Sequence, residues 1–393
     1  MVSPIAPWPL SPDPGKFVNS VAISADGSRI AAGTFFHDYS SSSKTPSTRR
    51  LSIPTGDGNW GEYGTYVWGA DGTLLYSDRF VGWEGVYWVA LSADGDTVAS
   101  SGWKLGAPDY QGFVSAGDVE RGVSLLSWPL PQRGNVVSLN ADGTALLAGA
   151  DQGYLFVRVA GNAFGGPPQT FPLAATGDQV LVAALDTRGT TGLLVSYHGQ
   201  VQVFTLTSGG SVLALESWQL PNSAYCHAGA LSADGGWAFI GANDGNLYAL
   251  EIAAFLASPG PTWSVLLPDG ARTIYGVTCS ANGARIGVGG NLPSAGLVAM
   301  YKNLGTEGAL SWQDQTTQPP NGLAMDDAGL ALAAADGHDS GGDFTLWNAI
   351  EGTQVWSYST TAMCWPIMLS ADARRVAAGS DDSFVYLFPG LGD

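Results

Sequence analysis

Apolar and polar positions along this chain alternate in short runs, broken every few residues by glycine or a small polar residue. One pattern recurs. A β-type run leads into a tight turn and a second β-type run follows, as in VAISADGSRIAAG at 21–33, VALSADGDTVASSG at 89–102, VSLNADGTALLAG at 137–149 and GALSADGGWAFIG at 229–241. Looser copies are VAALDTRG at 182–189, VTCSANGARIGVG at 277–289, LAMDDAGLALAAA at 323–335 and IMLSADARRVAAG at 367–379. Most of the turns carry Asp-Gly or Asn-Gly, the dipeptides that reach the positive φ a tight hairpin needs, so each copy predicts a β-hairpin.

The spacing of these hairpins sets the architecture. The residue before the turn glycine, or its equivalent, falls at 26, 94, 142, 188, 234, 282, 328 and 372, at intervals of 68, 48, 46, 46, 48, 46 and 44. The 21 residues after position 372 and the 26 up to the first turn together supply one more period of 47, as a closed ring requires. A period of this length with four strands per repeat is that of a β-propeller. The expected fold is all-β: a single eight-bladed β-propeller of four-stranded antiparallel blades, one domain over residues 1–393. A third strand of each blade reads from GYLFVRV (153–159), GNLYALEI (245–252) and SFVYLF (383–388). An outer fourth strand often carries tryptophan, and Trp8, Trp128, Trp218, Trp263, Trp312 and Trp356 are expected to pack between neighbouring sheets. Residues 5–10 are expected to pair with 383–388 and close the ring, which removes open sheet edges. The longer first interval places a polar loop excursion at 37–63.

The unit TLWNAIEGTQVWSYST (345–360), followed by SADARRVAAGSDDSFVYLF, resembles the repeat of pyrroloquinoline-quinone-type eight-bladed propellers, and the SADG turns are similar to WD40-type repeats. The resemblance spans essentially the whole chain and implies a scaffold. Proteins of these families include quinone-dependent dehydrogenases, assembly scaffolds and binding modules, so fold alone does not give function. The dehydrogenases imply adjacent cysteines above the cofactor; here Cys226, Cys279 and Cys364 are far apart, so bound quinone is not expected.

Composition narrows the partners. With 34 acidic against 16 basic residues the net charge is −18, which disfavours nucleic acid and polybasic docking on anionic lipid. No run of 18 apolar residues predicts membrane insertion. The N-terminus, Met1–Trp8, has neither the basic nor the apolar segment of a signal peptide. Low lysine content and a Ser/Thr/Gly-rich surface favour an extracytoplasmic protein whose leader has been removed slightly over a cytoplasmic one.

In a propeller the inner strand, a, lines the central channel, and the d–a and b–c connections share one face. All four histidines, His37, His198, His227 and His338, map to that face, so a shared transition-metal site is one expectation. Aromatic residues Trp83, Tyr87, Trp88, Tyr225, Tyr275 and Trp365 reach the channel mouth, with Glu84, Arg133, Asp178, Arg272 and Asn321 as polar neighbours. An aromatic mouth with a few convergent polar groups is a ligand pocket in form. Trp83, Tyr87, Trp88, Arg133, Tyr225, His227, Arg272, Tyr275 and Trp365 are therefore the candidate ligand-binding residues. The loops Asp336–Asp343, with Asp339 between, and Asp57–Glu62 offer oxygen ligands for calcium. Glu84 beside an aromatic mouth could act as a general base. No nucleophile motif occurs, and Cys226 and His227, as strand neighbours, point to opposite faces. The leading expectation is a binding propeller for a small molecule or a protein partner. An enzyme with a channel-mouth site, metal-assisted or Glu-based, and an assembly scaffold using the 37–63 arm are the alternatives.

Overall fold

The computed structural model describes residues 8–10, 16–35, 63–80, 83, 85–104, 111–151, 153–158, 169–172, 178–207, 210–337 and 341–392. Within them the chain forms eight four-stranded antiparallel sheets, called blades one to eight here, each running from an inner strand a to an outer strand d. The a strands are Phe17–Ile23, Gly85–Leu91, Gly134–Leu139, Val180–Leu185, Cys226–Leu231, Ile274–Cys279, Pro320–Met325 and Cys364–Leu369. Each touches its two neighbours in a closed order, the last against the first. The molecule is an eight-bladed β-propeller. Its eighth blade takes strand d from the other end of the chain: Trp8, Pro9 and Leu10 pair with Leu387, Tyr386 and Val385. Blades one and two are also joined by one backbone pair, Phe35 with Gly85. The excursion expected at 37–63 lies outside the described residues, except for Tyr63 at the start of strand c.

The recurrent turn explains the closure. In SADG the serine hydroxyl donates to the aspartate two residues on and accepts the amide five residues on, as Ser232 does with Asp234 (2.6 Å) and Trp237 (2.9 Å). Asn140 does the same work in blade three. In blades four and seven a single buried aspartate, Asp186 or Asp326, accepts the amides four and five residues on directly. Held this way, each turn bonds to the next through its backbone. Ala25 donates to Ala93, Ala93 to Ala141, Ala141 to Thr187, Thr187 to Ala233, Asp234 to Ala281, Ala281 to Asp327, Asp327 to Ala371 and Ala371 back to Ala25, at 2.8–3.2 Å. The circuit closes on itself.

Apolar burial is organised by interface rather than by blade. Eight clusters each join residues of two adjacent blades, such as Val182, Leu193 and Val203 with Ile240, Tyr248 and Leu250 between blades four and five. Sheets this close need small residues on strand b, and the sequence supplies runs of Ala and Gly there. A methyl on Gly241 would lie 2.2 Å from Ile274 Cγ2 of the next blade, and one on Gly379 would lie 2.5 Å from Val18 Cγ1. At the outer rim, tryptophans of strand d donate to the following blade: Trp263 to the Asn303 side chain, Trp312 to Ala349 O and Trp356 to Pro389 O. Besides two short 3-10 turns at Pro221–Ser223 and Pro268–Gly270, one α-helical element among the described residues departs from the all-strand expectation. Residues Ile252–Ala257, IAAFLA, form a helical turn and a half after strand c of blade five, burying Ile252 and Phe255 against blade four. Strand c therefore ends at Glu251, one residue before the expected GNLYALEI boundary. No helix among the described residues is long and apolar enough to cross a membrane.

Gly241→Ala should destabilise the fold by about 1–3 kcal/mol through overpacking. Combined with Ile274→Ala, which removes the Cγ2 that an added methyl would meet, the loss should be smaller than the sum of the two single losses, because the two positions share one contact. Urea unfolding of the two single variants and the double variant measures it, and strictly additive losses would contradict the packing.

Candidate functional site

Strand a enters the channel at the d–a face, and in every blade it is bulged at the same place. The register slips at Asn19, Tyr87, Asn135, Leu181, His227, Tyr275, Asn321 and, across two residues, at Trp365–Pro366. Each of these residues stands seven positions before its turn position. A bulge leaves a residue unpaired and re-aims its side chain, so the eight form a ring at the channel mouth. Four of the expected ligand residues, Tyr87, His227, Tyr275 and Trp365, belong to it.

The ring divides into tied and open arcs. Asn19 donates to Tyr87 O of the next blade at 2.7 Å, and Asn321 donates to Cys364 O at 2.9 Å. Asn135 donates to Asp151, which also receives Arg133 Nε at 2.8 Å. Arg133 lies over the Trp103 ring, and Trp103 packs on Tyr87 and Phe35. Burial pushes the Tyr87 phenol up. Arg133 and Tyr87 thus form part of a joint between blades rather than an open rim. Trp83 packs edge-on against Phe113, Trp365 is half-buried, and Trp88 is 42% exposed.

The open arc lies on blades four to six. Tyr197, in the b–c turn of blade four, stacks on Tyr225 with centroids 4.9 Å apart and meets His198 and His227 edge-on at 5.2 and 5.4 Å. His227 leans on Tyr275 at 5.4 Å, and His198 on Tyr225 at 5.5 Å. Tyr225 is 39% and Tyr275 38% exposed. This ledge of five rings brings together three expected residues, Tyr225, His227 and Tyr275, with His198. Tyr197 was not among the expected residues. His198 Nδ1 lies 2.8 Å from Asp178 Oδ1, and the side chain of Asp178 is 1% exposed. Burial raises the Asp178 carboxyl, but hydrogen bonds from Ser196, from His198 and from the Gln179 and His198 amides outweigh it, leaving its pKa below the ordinary value. Desolvation lowers the pKa of His227, so it stays neutral near pH 7. Arg272, in the d–a loop before Tyr275, is exposed.

The remaining expectations fall partly outside the described residues. Of the four histidines of the expected metal site only His198 and His227 are described, and among the described residues there is no group of three His, Cys, Asp or Glu side chains that could hold a metal ion. His227 is wedged between phenol rings, and His198 is turned toward Asp178. His37, His338, Glu84 and the 57–62 loop lie outside the described residues. In the calcium loop, Asp339 also lies outside. Asp336 is buried and accepts the Asp343 and Gln318 amides, while Asp343 accepts hydroxyls of Ser359 and Thr317, so both carboxylates fasten the loop. Cys226 is fully buried, its thiol pushed up to about 12, while His227 faces solvent.

No protein-family profile matches the chain, and no curated protein sequence does. Solved structures do. Sqt1 from Chaetomium thermophilum superposes with a TM-score of 0.70 at 14% identity, over 98% of this chain and 100% of that one. The same holds for Sqt1 bound to the N-terminus of the ribosomal protein L10. The Cps50 (Swd1) propeller domain of Myceliophteria thermophila matches with a TM-score of 0.57 at 15% identity, over 77% of this chain and 96% of that one. The shared property is the fold. These neighbours are WD40 propellers, which supports that side of the resemblance; the quinone-type side is not supported.

Asp336 provides a pH test of this face. Burial raises its carboxyl to about 6, so the folded state favours the protonated form. Its contribution to stability is therefore greatest below about pH 4 and is lost as pH rises through 6. Asp336→Asn should flatten the fall in urea midpoint between pH 4.5 and 7 relative to wild type; parallel curves would contradict the shift.

Proposed function

We propose that this chain is a protein-binding propeller, a single domain over residues 1–393, whose working surface is the d–a and b–c face centred on Tyr197, His198, Tyr225, His227 and Tyr275. The observation that carries this reading is the partition of the mouth. At four of the eight bulges, Asn19, Tyr87, Asn135 and Asn321, the side chain is spent on the scaffold, whereas on blades four to six a continuous set of rings is left open to solvent. Tyrosine is well suited to such contacts, because it offers a large rigid face with a polar tip. The complex of Sqt1 with the N-terminus of ribosomal protein L10 is consistent with a propeller of this shape receiving a peptide segment.

A second reading rests on the Asp178–His198 pair. With Nδ1 toward a carboxylate, the imidazole presents Nε2 outward, the arrangement of a general base. It would make the same ledge a substrate platform, and His198→Gln would then abolish turnover while leaving binding intact.

Tyr225→Ser and Tyr275→Ser together should weaken capture of a cross-linked, identified protein partner at least tenfold while leaving the thermal midpoint within a few degrees. Glu120→Ser, on the opposite face, should leave capture unchanged. Cross-links that map to the a–b turns instead would overturn the proposed surface.

A further inference from the structure

We infer that the blade four-to-six ledge takes a cationic side chain, arginine or lysine, from the partner's segment. The inference rests on the protein-binding reading and names the chemistry of its central contact.

The geometry favours a ligand lying on the ledge. Tyr197 and Tyr225 are stacked, and His227 is packed between Tyr197 and Tyr275, so the rings are already in contact with one another. A flat ring has no gap to enter between them. What remains available is the outer faces of Tyr225 and Tyr275, and an aromatic face carries negative potential that attracts a cation.

Charge points the same way. Among the described residues of the loops bordering the ledge, from 178 to 319, three carboxylates, Asp178, Asp244 and Asp269, stand against one guanidinium, Arg272. Asp178 is held ionised beneath the ledge. His227 contributes no positive charge near neutral pH. A net charge of −18 adds a long-range attraction for basic segments. An acidic segment would meet these carboxylates unfavourably, and a purely apolar one would gain nothing from them.

The test uses the full-length protein labelled with 3-fluorotyrosine, the Tyr225 and Tyr275 resonances being assigned with Tyr225→Phe and Tyr275→Phe. The probes are Nα-acetyl-arginine amide, Nα-acetyl-lysine amide and the neutral Nα-acetyl-glutamine amide. The arginine and lysine probes should shift both resonances saturably, and added salt should weaken that binding. Removing either ring with a leucine substitution should cost about two- to fivefold in affinity. The neutral probe should bind at least several-fold more weakly than either cation. Equal shifts from the neutral and cationic probes, or none from the cations, would overturn the inference. If partner capture still depended on Tyr225 and Tyr275, that result would leave the protein-binding surface standing and remove only its cationic ligand. Loss of that dependence as well would remove both.

Discussion

Eight backbone hydrogen bonds, each from one a–b turn to the next, tie the inner ends of the blades into a circuit that returns to its start. Each such bond contributes modestly, about 0.5–1.5 kcal/mol, so the circuit is not the main source of stability. Its importance is geometric. It fixes the number of blades, because the last turn must reach the first, and it fixes the height of every strand a relative to its neighbours. The turn chemistry adapts to preserve it. Ser-Asp turns, an Asn-Asp turn and lone buried aspartates all present the same backbone to the next blade. Blade eight even holds Ala373 at a φ of 62°, where its counterparts have glycine, at a cost of about 1–2 kcal/mol.

Stability comes from what the circuit brings together. Wedge-shaped interfaces between twisted sheets are filled by small residues on strand b and branched residues at the start of the next strand a, as at Gly241 and Ile274. At the rim the wedge is wider, and bulky indoles fill it while their N–H groups bond to the following blade. The N-terminal strand completes blade eight in the same way that local strands complete the others. The inner circuit and the outer tryptophans thus act at the two ends of one wedge.

The architecture was legible in the sequence because it depends on repetition. Turn positions at intervals of 44 to 48 residues, with one longer interval of 68, revealed the blades, the closure and the strand order without any knowledge of contacts. The helical turn at 252–257 was not legible, since six apolar residues after a strand carry no repeat counterpart and no distinguishing period. The candidate site was legible in part. Its inner ring was present in the spacing all along, seven residues before each turn, and Tyr87, His227, Tyr275 and Trp365 were found because they are chemically conspicuous. Leu181 and the asparagines at 19 and 135 escaped for want of that. Tyr197 and the Asp178–His198 pair depend on how a b–c turn folds back beside a d–a loop, which no periodicity records.

Because the backbone is nearly the same at all eight bulges, the scaffold cannot by itself favour one blade over another as a binding site. The difference must come from the side chains and from what they are already bonded to. Asn19 and Asn321 spend their amides on the next blade, Asn135 shares Asp151 with Arg133, and Tyr87 is packed against Trp103. On blades four to six the corresponding residues include His227 and Tyr275, and Tyr197 and Tyr225 extend them outward into one surface. A group already satisfied by its own fold has little to gain from a ligand, whereas a ring left half in water gains from being covered. The repeat therefore builds the mouth eight times over, and the uneven use of one bulge position leaves the arc on blades four to six open for recognition.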